Sequence, residues 1–199
     1  DPNRGTVYDG PLIILVNGAS ASASEFVSAV LQDYNRAVIV GGITYGKGTA
    51  QQVLPMDTGK IDDSKKYVDF VKVTLSKFYR VNGSTTQWKG VVPDIVLPDL
   101  YALDDYKEKS NASALLPDNS KPGTYQPLPA LPVAVLAAKS KQRTDANDYF
   151  KGIGKLTNWM AQVKKERNIS LQWDAYAAQF NTALNMFKHN KTGGIGCGE

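Results

Sequence analysis

Only one histidine and one cysteine occur among the 199 residues, and these two scarcities remove most of the familiar catalytic and metal chemistries. His189 stands among Lys188, Asn190 and Lys191, a composition that reads as a solvated helix end, so a Ser-His-Asp triad is short of its base. Cys197 alone can form neither an intrachain disulfide nor a cysteine-built zinc cage. Its setting, Gly193 to Gly198, reads as a flexible tail with a free thiol, pairing between two chains being the alternative. No cluster of Asp, Glu and His recurs at ligand spacing, so neither a metal nor any other cofactor is expected. Also missing are a signal peptide at the start and an apolar run of the 18 or more residues that a bilayer span needs. The net charge is +4, but Lys and Arg are dispersed without an arginine-aromatic platform, which argues against a nucleic-acid partner.

What is present is enough apolar residue, 42%, for one core and a small appended unit. An apolar strand, Leu12 to Val16, runs into the small residues Asn17 to Ser24, and an amphipathic helix follows from Ala23 to Tyr34. Phe26, Val27, Val30 and Leu31 mark the face expected to cover a sheet, with Ser28, Gln32 and Asp33 facing elsewhere. A second apolar strand, Ala37 to Val40, completes a parallel βαβ unit and delivers Gly46-Lys47-Gly48 to the end where open α/β sheets place their sites.

Three serines at this helix mouth compete as nucleophile, and Ser22-Ala23-Ser24-Glu25 is also a capping box with a purely structural use. The two readings are compatible, because a helix N-terminus offers free N-H groups to a developing oxyanion, Ala23 supplying the natural donor. A serine needs a base. A lysine serves only when neutral, which requires its pKa to fall from about 10.4 to roughly 7 or 8. Lys47, packed between two glycines, is the best candidate of many. Gly41 to Lys47 nearly matches a phosphate-binding loop, but Gly48 replaces the magnesium-binding hydroxyl and Gln51 to Pro55 reads as a strand where a helix is required.

Ser20 to Glu25, Gln32 to Tyr34, Thr44 to Thr49 and Gln51-Gln52 together resemble the C-terminal processing peptidases. Lys77 to Gly83, Ser84 to Gln87 and Gly90 to Ile95 point to the tail-specific protease branch, with a strong match from residue 11 to residue 98. The resemblance implies an α/β fold of ClpP/crotonase-like type, with a βαβ core sheet, a hairpin and a helical C-terminal extension. It implies Ser22 as nucleophile, Lys47 as general base, Gln51 as the side chain orienting the lysine amine, and the Ala23 N-H in the oxyanion hole. Asp33 matches an aspartate at times discussed as a third member, but eleven helical residues put it about 16 Å of rise from Ser22, which favours a structural role. Substrates would be polypeptides recognised near their C-termini in a bacterial periplasm, with an adaptor protein as a possible partner. A further oxyanion glycine and a peptide-binding PDZ domain belong upstream of the first strand in this family, so this chain reads as a fragment expected to be weakly active or inactive alone. A non-catalytic peptide-binding or scaffolding module is the rival reading.

The remaining chain divides into a core over 1–98, a proline-containing linker or wrapping arm over 99–132, a helical extension over 133–190 and a tail over 191–199. Asp57 to Lys66 reads as a surface loop, Val71 to Ser76 as a half-solvated strand, Asn82-Gly83 as a hairpin turn and Lys89 to Leu97 as the next extended segment. Asp94 is expected in turn or edge hydrogen bonding. Phe150, Ile153, Leu156, Met160 and Val163 share a helical spacing, as do Trp173, Tyr176, Phe180, Leu184 and Phe187, so two helices are expected to pack on each other or on the core.

Overall fold

Once Gly10-Pro11 has broken the entering chain, four consecutive apolar residues form strand β1 (Ile13–Val16). Helix α1 (Ala23–Asp33) returns the chain to β2 (Val38–Gly41), which lies parallel to β1 with Ile13 opposite Val38 and Val16 opposite Gly41. The expected βαβ unit is present. This computed structural model describes residues 5–56, 69–165 and 170–191. Strands β3 (Thr49–Pro55) and β4 (Phe70–Lys77) pair as an antiparallel hairpin. The short β5 (Ile95–Val96) then joins the free side of β2, again in parallel, giving the order β1-β2-β5.

One side of this sheet carries the core. Val16, Ala29, Ala37, Ile39 and Val91 are buried together, with Leu12, Ile14 and Leu31 packed on them. The helix face departs from its expectation: α1 buries Glu25, Ser28 and Ala29, while Phe26, Val27 and Val30 lie outward. Short side chains at 28 and 29 bring the helix close to the strands, and hydrogen bonds retain the buried carboxylate of Glu25 there. Phe26 packs across the outside on Phe78, ring centres 5.6 Å apart.

The hairpin turn also differs. Gly83 makes a tight turn, donating its N-H to the Arg80 carbonyl at 2.9 Å, but no strand returns from it along β4, whose partner is the preceding β3. Of the extended segment from Lys89 to Leu97, only Ile95–Val96 forms a strand. Asp94 behaves as an edge acceptor, taking the Ile39 N-H at 2.8 Å and the Gln32 side-chain amide at 2.9 Å. The loop expected over Asp57 to Lys66, and Cys197, lie outside the described residues.

Beyond β5 the chain lies back on the core. Ser120 donates to the Gly83 carbonyl and Leu128 to that of Tyr34. Helices α2 (Val133–Ala146), α3 (Asp148–Lys165) and α4 (Trp173–Lys191) follow. Ile153 and Leu156 of α3 are buried as their spacing suggested. Helix α4 lies against α3 as expected, but its Trp173, Tyr176 and Phe180 are 75%, 41% and 58% exposed, and the side chains of Leu184 and Phe187 lie outside the described residues. No helix among the described residues is long and apolar enough to cross a membrane.

Candidate active site

Strand β1 ends in a tight turn in which the Ser20 N-H donates to the Asn17 carbonyl at 2.9 Å. Two residues on, Ser22 stands at the mouth of α1 with φ 58° and ψ −116°. A positive φ is costly for any side chain larger than glycine, on the order of 1–3 kcal/mol, and such residues concentrate at functional sites. The geometry therefore marks Ser22 out from Ser20 and Ser24. Ala23 is the first residue of α1, so its N-H has no acceptor within the helix.

The second half of the site is the loop after β2, and one side chain joins the two halves. Glu25 is fully buried. Its Oε2 accepts the N-H of Ser22 at 2.8 Å and the N-H of Lys47 at 2.8 Å, which places those two backbone nitrogens within about 5.6 Å of each other. Its Oε1 accepts the Gly46 N-H at 2.7 Å and the Thr44 hydroxyl at 2.5 Å. A carboxylate that receives four donors replaces its lost hydration and fixes everything it touches. Thr44 passes the tie onward, its Oγ1 accepting the Val91 N-H at 2.6 Å. Tyr45 adds another, donating its N-H to the Ser20 carbonyl at 2.9 Å.

The glycines beside Lys47 have steric reasons. Gly46 has φ 94°, and a Cβ there would sit 2.9 Å from the Trp88 backbone. A Cβ on Gly48 would sit 2.6 Å from the Gln87 backbone nitrogen, and the Gly48 N-H donates to the Gln87 side chain at 2.8 Å. The Lys47 Nζ donates to the Thr49 carbonyl at 2.9 Å, and among the described residues no hydrogen bond joins it to the Ser22 hydroxyl. Gln51 reaches the same residue without touching the amine, donating to the Thr49 hydroxyl at 2.8 Å and that of Thr74 at 3.3 Å. It follows an irregularity between Ala50 and Gln51 in the β3-β4 ladder, a device that re-aims side chains beside sites. Asp33 is elsewhere. At the far end of α1 it receives Arg80 through two bonds, 2.6 and 2.9 Å long. The structure thus brings Ser22, Ala23 and Lys47 to one place, sets Gln51 one residue removed and leaves Asp33 outside.

Residues 1–97 match the profile of peptidase family S41, and residues 101–192 match that of the C-terminal domain of tail specific protease. Residues 1–97 belong to peptidase family S41. Among the relatives, the tail-specific protease of Haemophilus influenzae is 40% identical over 125 residues, 63% of this chain and 18% of that protein. The carboxy-terminal-processing protease of Bartonella bacilliformis is 38% identical over 107 residues, 51% of this chain and 22% of that one. A solved photosystem II D1 C-terminal processing protease matches at 36% identity and a TM-score of 0.37, over 44% of this chain and 20% of that one. The chain thus spans about a fifth of the length of the relatives it matches.

Two members of the S41 site had no role in the sequence reading. Glu25 showed only as the partner in a capping box, and its burial could have been inferred only from the true inward face of α1. Thr44 stood only at the edge of a motif with no role of its own, because its importance lies in accepting from Val91, 47 residues away.

Proposed function

We propose that this chain carries the catalytic core of a serine endopeptidase working through a Ser22-Lys47 dyad. The observation that carries the reading is the shared hold of Glu25 Oε2 on the Ser22 and Lys47 amides, at a serine whose backbone is strained into positive φ. In the reaction, the Lys47 amine leaves the Thr49 carbonyl, approaches Ser22 Oγ and removes its proton as the oxygen adds to the scissile carbonyl. The resulting oxyanion is held by the Ala23 N-H. Collapse breaks the C-N bond, the leaving amine takes the proton from Lys47, and water then hydrolyses the acyl-enzyme through the same lysine. Gln51 steadies Thr49, and with it the resting place of the amine.

The names of the relatives support polypeptide substrates recognised near their C-termini. The reading also includes a periplasmic setting, an adaptor as partner and recognition by a PDZ domain supplied by other sequence. Core, connector and helical extension divide at about residues 98 and 132, and residues 1–199 alone turn over weakly or not at all. A second reading, a non-catalytic peptide-binding module, draws on the Lys47-Thr49 bond, which leaves Ser22 as a helix cap.

The test uses protein with the full length of the relatives. Ser22→Ala and Lys47→Ala should each remove peptide cleavage and labelling by a fluorophosphonate while the thermal unfolding curve stays cooperative. Cleavage that survives either change refutes the dyad, whereas a folded parent protein that neither cleaves peptides nor takes the label favours the binding module.

A further inference from the structure

The loop from Ile43 to Lys47 uses its amides and its carbonyls on different partners. The amides of Gly46 and Lys47 go to Glu25, and that of Tyr45 goes to Ser20. The carbonyls go to residues far along the chain. The Lys107 Nζ donates to the carbonyl of Ile43 and, at 3.2 Å, to that of Thr44. The Glu108 N-H donates to the Tyr45 carbonyl at 3.1 Å, so consecutive residues of one segment hold three consecutive carbonyls.

Lys107 is an unusual residue for this duty. It is only 5% exposed, and lysine is rarely buried without a dedicated partner. Burial pulls its pKa below the ordinary value, with Asp99, Glu25 and Asp104 pulling it back up. Its amine also lies against the turn that leads to Ser22, since a Cβ on Gly18 would fall 2.7 Å from Nζ. Asp99 secures that same turn by accepting the Gly18 N-H at 2.6 Å. The flanking turns, Asp104–Tyr106 and Glu108–Ser110, present residues 107 and 108 to the loop. Tyr106 is fixed in turn by Lys164 of α3, whose amine sits 4.4 Å from its ring centre.

We infer that Lys107 is a positioning residue for the peptidase reaction: it holds the Ile43 and Thr44 carbonyls of the loop whose amides Glu25 holds, and so sets where Lys47 meets Ser22. The inference rests on the dyad reading above. It assigns to the segment after residue 98 a part in assembling the site. Lys107 touches no substrate and transfers no proton. Its effect is geometric, and a misplacement near 1 Å between reacting groups is worth about 100-fold in rate.

Lys107→Met keeps the aliphatic stem and removes the donors. In protein with the full length of the relatives, active-site titration with a fluorophosphonate separates the fraction of reactive Ser22 from the rate constant per reactive site. The rate constant and kcat should both fall about 10- to 100-fold, with KM within twofold and the reactive fraction unchanged. A rate constant within twofold of the parent, any loss being confined to the reactive fraction, overturns the inference. If Lys107→Met yields no folded protein, Lys107→Gln, which keeps a buried donor, is judged on the same criterion. Ser22→Ala is the control: labelling that persists there removes the dyad reading and this inference together, whereas Ser22-dependent labelling with an unaffected Lys107 variant removes this inference alone.

Discussion

Replacing Glu25 by Gln changes one atom in a fully buried side chain, and the hydrogen-bond pattern fixes what that atom does. All four neighbours donate to the carboxylate: the amides of Ser22, Gly46 and Lys47, and the Thr44 hydroxyl. A glutamine offers one oxygen and one NH2 group. Its better orientation keeps the oxygen on Ser22 and Lys47 and turns the NH2 towards Thr44, whose hydroxyl can rotate to accept, and Gly46, whose N-H cannot. One buried donor is then orphaned, at about 1–3 kcal/mol, and the surviving bonds lose their charge assistance. The opposite orientation orphans two amides and is worse. Relief of the desolvated charge offsets part of this, leaving about 2–4 kcal/mol. At 2–4 °C per kcal/mol for a chain of this size, the melting midpoint should drop by roughly 5–15 °C. Thermal unfolding by circular dichroism measures it, with fluorophosphonate labelling of Ser22 followed on the still-folded protein. A midpoint within 1 °C of the parent, with labelling unchanged, refutes the idea that this carboxylate assembles the site.

Asp33→Asn leaves the Arg80 guanidinium largely buried with a weakened partner, Arg80 being 17% and Asp33 8% exposed at their side chains. Loss of about 2–4 kcal/mol is expected in urea unfolding, while Ser22 labelling per folded molecule stays within twofold. A labelling defect at full stability would instead give Asp33 a part in the chemistry. The arm after residue 111 is pinned to β4 through Asp118, whose carboxyl accepts from Lys77 at 3.0 Å and from Tyr79 at 2.9 Å. Those bonds, Lys77 first, hold its pKa below the usual 3.8. A lowered carboxylate pKa adds stability above 3.8 that is lost as the pH falls through the folded value. Protection of the Ser120 amide, its exchange rate taken relative to an unstructured chain at the same pH, should therefore fall below about pH 4 in the parent, and Asp118→Asn should show the lower protection already at neutral pH.

The parallel βαβ unit was legible because it is written in contiguous residues: two apolar runs, a capping signature at Ser22 to Glu25 and glycines where the chain must turn. The position of the Gly46-Lys47-Gly48 loop after the second strand was legible for the same local reason. The inward face of α1 was not, because hydrophobicity pointed to Phe26, Val27 and Val30, whereas close approach to the sheet selects the smaller Ser28 and Ala29 and a carboxylate with four donors waiting for it. Asn82-Gly83 gave a true reversal, but turn chemistry specifies only the turn, and the ladder went to the strand already available at Thr49–Pro55. Lys107 had no legible role, since nothing near it in sequence reveals an acceptor 64 residues earlier.

The twisted backbone at Ser22 implies a conflict between folding and reactivity. A glycine would adopt that conformation freely, recovering about 1–3 kcal/mol of strain against an entropic penalty below about 1 kcal/mol. The fold would gain from a substitution that deletes the hydroxyl. A screen of this chain for thermal tolerance alone would drift towards glycine at position 22, and so away from the nucleophile of the proposed dyad.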